Sequence, residues 1–182
     1  VTAMDELRSQ SDQVLTGKSV VTKVYPHQIA FNALPHVEHF LEDGYTNEEM
    51  KMVMETKKIL HASNIAVSAT CVRVPVMVSH SLAVHVELTH PINAREVRDI
   101  LSKFDGIQVV DDPDSDIYPM PIEAAGKDEV LVGRIRQDSS HPNGIAMWIS
   151  CDNLRKGAAL NAIQIAEEIL NRGVPLTRGR SV

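Results

Sequence analysis

The residues best suited to chemistry gather in Ala66–Ser81, AVSATCVRVPVMVSHS, where Arg73 interrupts a β-branched apolar run and His80 follows seven residues later. A guanidinium is permanently charged and grips carboxylates or phosphates through paired hydrogen bonds, so Arg73 calls for an anion. An imidazole titrates near neutrality and suits proton transfer. On an unbroken strand an odd separation puts the two side chains on opposite faces. Pro75 cannot donate to a central ladder, so a break or bulge is expected there, and a kink would let both groups reach one cleft. Spacing alone favours a plainer reading, an Arg–carboxylate pair inside the fold and a core histidine.

Other candidates are weaker. Glu48, Lys51 and Glu55 stand three and four residues apart on an expected helix and share one face, the pattern of a solvated ion-pair ladder. His36 and His39 form an H-x-x-H pair with no third ligand or zinc-spaced cysteines near by. Asp112, Asp114, Asp116 and Glu123 approach a calcium loop. Ile117 takes its obligatory glycine position, Pro119 and Pro121 stiffen it, and flanking helices are missing, so an acidic connector is the better description and no metal is expected. Cys71 and Cys151 lie in strand-like contexts without the helix N-terminus or neighbouring base that activates a thiol.

These groups need elements to hold them. Residues 1–15 read as an amphipathic helix stopped by Gly17, with Asp5, Glu6, Arg8 and Asp12 on a solvated polar face. A short strand is expected at Ile29–Leu34, near an edge because Pro26 and Pro35 flank it. Thr46 and Glu49 form a capping box opening a helix to about His61, with Met50, Val53, Met54 and Leu60 as its apolar stripe. A strand follows over Ser81–Thr89, and its period of two gives His80 the parity of Leu82, Val84 and Val86, pointing it inward. A helix over 92–104 buries Val97, Ile100, Leu101 and Phe104, before strands at Ile107–Val110, Glu129–Gln137 and Gly144–Ser150. The last pair is joined by a hairpin turn, DSSHPN. Asn153 is placed as the N-cap of a helix to about Asn171, which carries a small-residue patch at Gly157-Ala158-Ala159. Without βαβ alternation, G-x-G-x-x-G or a P-loop, the expected fold is α+β, a mixed, largely antiparallel sheet covered by helices, with no nucleotide-binding domain.

Bulk properties narrow the function. The 182 residues allow one large domain or two very small ones, 43% are hydrophobic, and a net charge of −6 argues against nucleic-acid or anionic-membrane partners. No run approaches the roughly 20 apolar residues of a membrane span. Two cysteines and no disulfide framework fit a cytoplasmic setting. The chain opens on Val1, partway into a helical pattern, as a piece of something longer would.

Taken together, AMDELRSQ, IAFNALPH, YTNEEMKMVMETKKIL, SATCVRVPV followed by HS, YPMP, GKDEVLVGRIR and DNLRKGAALNAIQIAEEIL resemble one family, aspartate-β-semialdehyde dehydrogenase, in its order and over nearly the whole chain. The resemblance implies an NADPH-dependent reduction of L-aspartyl-4-phosphate to L-aspartate-4-semialdehyde with release of phosphate, on the route to lysine, threonine and methionine. It also implies that residues 1–182 are one C-terminal catalytic and homodimerising domain, similar to that of glyceraldehyde-3-phosphate dehydrogenase. The N-terminal Rossmann domain that mainly binds NADP would be missing. On the family pattern Arg73 grips the substrate carboxylate and His80 is the general acid/base. Glu48 contacts the substrate amino group, Lys51 its phosphate, and Asn153 lies near the nicotinamide. The family's nucleophilic cysteine, in an S-N-C-T-like segment, is absent, so the chain is expected to be inactive alone. Ser79 stands where the family usually has glycine. A free-standing, non-catalytic module for an acidic metabolite or partner enzyme is the competing reading, and a related acyl-phosphate reductase is a third.

Overall fold

The computed structural model describes residues 2–173, which divide into two compact units, Val1–Met77 and Val78–Val182.

The first unit is held by two helices and little regular β-structure. Helix α1 (Ala3–Leu15) begins at a capping box between Thr2 and Asp5, and α2 (Asn47–Ile59) at one between Thr46 and Glu49. Leu7, Ile29, Ala30 and Leu34 form its small core, with Tyr25 against them. The strand expected over Ile29–Leu34 is reduced to a single antiparallel bridge, Leu34 to Arg73. That bridge is also all the ladder in the long stretch expected as a buried strand from Ala66. Val72, Val74, Val76 and Met77 are exposed, and the chain bends at Pro75, where the Val76 amide donates to the Val74 carbonyl. Strand preference measures fit to a half-buried pleated surface, and among the described residues no second strand runs alongside to supply one.

Glu6 overturns its expected place on a solvated face. It is buried, and its carboxylate accepts the backbone amides of Lys23, Val24 and Tyr25 and a bond from Gln10 Nε2. Gln10 turns its carbonyl to the amides of Ile29 and Ala30, at 2.8 and 3.3 Å. Two polar residues of α1 thus anchor the 21–30 loop onto the helix.

The second unit is the α+β fold expected, with sheet order β1-β4-β3-β2. Strands β1 (His80–Glu87), β3 (Val130–Gln137) and β4 (Gly144–Cys151) run antiparallel, and β2 (Ile107–Val109) lies parallel to β3. Helix α3 (Ala94–Leu101), capped by Asn93 and Glu96, packs Val97 and Leu101 on one sheet face with Val132, Ile135 and Ile145. It is shorter than its sequence suggests: Ile100 and Phe104, expected inward, are exposed. The short α4 (Pro121–Ala124) adjoins β4, and Trp148 Nε1 donates to the Pro119 carbonyl. A bulge shifts the β3–β4 register between Gly133 and Arg136. Gly133 is required there, because a Cβ would sit 2.0 Å from the Val110 carbonyl oxygen. The Asp111 carboxylate, shielded from solvent, accepts the bulge amides of Arg134 and Ile135 and pairs with Arg98. A π-helical turn, Arg155–Ala159, leads into α5 (Leu160–Asn171).

Burial pushes the Glu6 carboxyl up, but the Val24, Lys23 and Tyr25 amides together outweigh it and hold the group below its ordinary 4.5. A lowered folded value stabilises above the unfolded value, and that stability is lost as pH falls through the folded one. Glu6→Gln should therefore cost about 1–3 kcal/mol at pH 7, with the gap to wild type closing in acid. Denaturant unfolding of the full chain across pH 3–7 checks this; a constant gap would refute it.

Candidate functional site

Within the first unit, buried Thr46 caps α2 and fixes its first turn. Glu48 and Lys51 form an ion pair at 2.8 Å, and Glu48 raises the Lys51 ammonium above its ordinary value. The shared face expected from spacing is therefore present, and Glu55 contributes only through its field. The neighbouring Glu49, unremarked in sequence beyond its capping role, is buried and does something else. One carboxylate oxygen accepts the Thr46 amide and the other the Cys71 amide, each at 2.8 Å. Those two bonds, the Cys71 one foremost, hold Glu49 ionised below its ordinary range. The segment that carries Arg73 is thereby fastened to the turn that carries Glu48.

Arg73 itself is exposed, which corrects its placement inside a buried strand. It forms no ion pair among the described residues, so the carboxylate partner expected within the fold is not there. Its guanidinium lies 5.6 Å from the Tyr25 ring centre, a cation–π contact, and its backbone is held both ways by Leu34. His36 stacks on Phe40 at 4.4 Å, and among the described residues no cluster of His, Cys, Asp and Glu could hold a metal.

Within the second unit, His80 opens β1 and pairs with Cys151. Its parity with Leu82, Val84 and Val86 is as expected, but its side chain is exposed where theirs are half-buried. The alternation is a property of the strand, whereas burial needs a cover, and the covering face has run out at the strand's first residue. Just before it, Ser79 has φ +86°, in the left-handed region that favours glycine. Two bonds hold the turn. The Ser79 amide donates to Asn153 Oδ1 at 2.9 Å, and its hydroxyl donates to the Pro121 carbonyl at 3.0 Å.

Asn153 is therefore not the helix N-cap. No side-chain cap opens the π-helical turn or α5; Asp152 accepts the amides of Leu154 and Arg155 in the turn before them, and it also accepts Gly126 N at 2.7 Å. The Gly126 bond leads in holding the buried Asp152 carboxyl below its ordinary range, against the opposing effect of burial. The structure brings Asn153 and His80 to one end of the β1–β4 pair through Ser79. Arg73, Glu48 and Lys51 belong to the other unit.

Neither cysteine has the electrostatics of a nucleophile. Burial pushes both thiols up from their ordinary value, with Glu49 and Glu48 adding at Cys71 and Asp152 at Cys151. Both should react slowly with iodoacetamide at pH 7, with rates still rising beyond the usual thiol range. Rapid neutral-pH alkylation of either one would contradict this.

Residues 1–156 match the family model described as "Semialdehyde dehydrogenase, dimerisation domain". An aspartate-semialdehyde dehydrogenase of Aquifex aeolicus is 50% identical over 173 residues, 94% of this chain and 51% of the relative. One of Legionella pneumophila is 54% identical over 171 residues, 93% of this chain and 49% of the relative. Among solved structures, aspartate semialdehyde dehydrogenase II of Vibrio cholerae, complexed with ASA, superposes with a TM-score of 0.87 at 48% identity, over 92% of this chain and 49% of that one. The Candida albicans enzyme with NADP gives 0.65 at 27% identity, over 81% and 46%. The chain thus spans about half the length of the relatives it matches. It belongs to the semialdehyde dehydrogenase family, whose dimerisation domain it carries.

Proposed function

We propose that this chain is the substrate-binding and homodimerising part of a cytoplasmic, NADPH-dependent aspartate-semialdehyde dehydrogenase, which converts L-aspartyl-4-phosphate to L-aspartate-4-semialdehyde and phosphate in amino-acid biosynthesis. The observation that carries the reading is the match, at close to half identity along nearly the whole chain, to an aspartate semialdehyde dehydrogenase solved with ASA. The dinucleotide domain and the nucleophilic cysteine belong to the half of the relatives' length that this chain does not span, so the chain alone does not turn over.

Each site residue has a role that its surroundings support. Arg73, exposed and without a carboxylate of its own among the described residues, is available for a bidentate grip on the substrate α-carboxylate. Glu48 takes the substrate ammonium, a charge its neighbour Glu49 cannot serve because both of its oxygens are engaged. Lys51 has three donors, so it can keep Glu48 while reaching a phosphate oxygen. His80, solvent-accessible at the head of β1, accepts a proton from the attacking thiol and returns one to the product. NADPH, when bound, supplies the hydride. Toward it this chain offers Asn153, whose carbonyl is taken by Ser79 while its amide NH2 has no acceptor among the described residues, donor chemistry that fits a carboxamide oxygen.

In the complete protein, NADP-dependent oxidation of aspartate semialdehyde with phosphate should be measurable, and the 182-residue chain should show none. Arg73→Lys should lower kcat/KM by about 10²-fold, since an ammonium cannot make two parallel bonds, while the fold survives because Arg73 carries no buried contact. Near-normal kinetics for that variant would remove Arg73 from substrate recognition.

A further inference from the structure

His80 poses a positional problem. A general acid/base must stand within about 2.6–3.2 Å of the proton it moves. Yet the His80 ring is exposed and has no hydrogen-bond partner among the described residues. Nothing on the side chain itself sets where it points, so its placement must come from the backbone.

That backbone is pinned on both sides. On the N-terminal side, Ser79 is held at φ +86° by its amide on Asn153 Oδ1 and its hydroxyl on the Pro121 carbonyl. On the C-terminal side, the His80 carbonyl accepts Ser150 Oγ at 3.2 Å, and that hydroxyl lies 3.3 Å from Ser81 Oγ. Ser150 is fully buried and Ser79 nearly so, so these bonds are shielded from competing water. Left-handed backbone at a non-glycine residue is costly and persists only where its surroundings over-determine it, as three side-chain bonds do here. The anchors are themselves braced: Asp152, next to Asn153, holds Gly126, and Ser79 holds Pro121, so α4 is tied at both ends to the same corner.

We infer that Asn153 and Ser150 are positioning residues for His80, acting through a left-handed turn at Ser79 that they clamp from the two sides of the β1 entry. The inference rests on the acid/base reading of His80. It adds to Asn153 a task distinct from any contact with the nucleotide: its carbonyl aims the imidazole, and only its amide nitrogen is left for other partners. The turn tolerates serine because the hydroxyl finds Pro121; glycine would give up that bond but adopt the turn without strain.

The test uses the complete enzyme. Asn153→Ala should lower kcat by about 10–100-fold, leave the KM for aspartate semialdehyde within about twofold, and shift the limb of the kcat–pH profile that disappears in His80→Asn. Asn153→Asp, which keeps the acceptor, should restore that limb. Ser79→Gly, which keeps the donor and the turn, should resemble wild type, whereas Ser79→Val, strained at positive φ, should not. Ser150→Ala should give the same signature as Asn153→Ala in milder form, and it decides the matter if Asn153→Ala does not fold. An Asn153→Ala effect confined to the KM for NADP, or an unmoved pH limb in both Asn153→Ala and Ser150→Ala, overturns the clamp. A pH profile unchanged in His80→Asn instead overturns the acid/base reading itself.

Discussion

A buried backbone amide left without a partner costs about 1–3 kcal/mol, and the first unit has almost no ladder in which to pair its own. Its solution is to lend side chains from its helices. Glu6 gathers three consecutive amides of the loop after α1, Gln10 takes two more, and Glu49 reaches from α2 to the amide of Cys71. Irregular backbone can be packed at all because each of these acceptors is fixed on a rigid helix. The small apolar core around Leu7 and Ile29 then has something to close against.

The second unit has a sheet but uses the same device wherever the sheet is interrupted. Asp111 receives the amides freed by the β3 bulge, and Asp152 receives those freed where β4 turns into its π-helical exit. A carboxylate spent in this way is fixed in place by the backbone it serves. This sorts the acidic residues chemically. Glu48 and Glu49 are adjacent and identical in type, yet one is committed to two amides while the other faces a lysine at the surface.

What sequence made legible was what repeats. The two helices opened by Thr46 and Asn93, the period of two in β1, and the β3–β4 hairpin follow from local pattern, and so does the mixed sheet they imply. The parity of His80 was legible for the same reason. Burial was not, because it depends on what lies across from a residue. Glu6 reads as one more charge on a polar helix face until the loop that covers it is seen. The valines after Arg73 read as core, although β-branching records only that a residue suits a pleated surface. The role of Asn153 was hidden differently: its partner, Ser79, lies 74 positions away, and no local motif encodes that distance. The family resemblance suggested roles for residues that spacing alone would have left as a surface ion pair and a core histidine.

That separation also bears on how the chain assembles. Strands β3 and β4 are joined by a short turn and can pair at small entropic cost, but β1 meets β4 only after a long intervening stretch has been drawn in. Contacts of high sequence separation are expensive to reach and come late. The bonds that hold the backbone of His80 bridge 70 and 74 positions, so the entry of β1 is among the last parts of the sheet to take shape. A nascent or damaged chain with helices and hairpin already in place would still lack the fixed turn ahead of His80, and that turn becomes a report on completed folding.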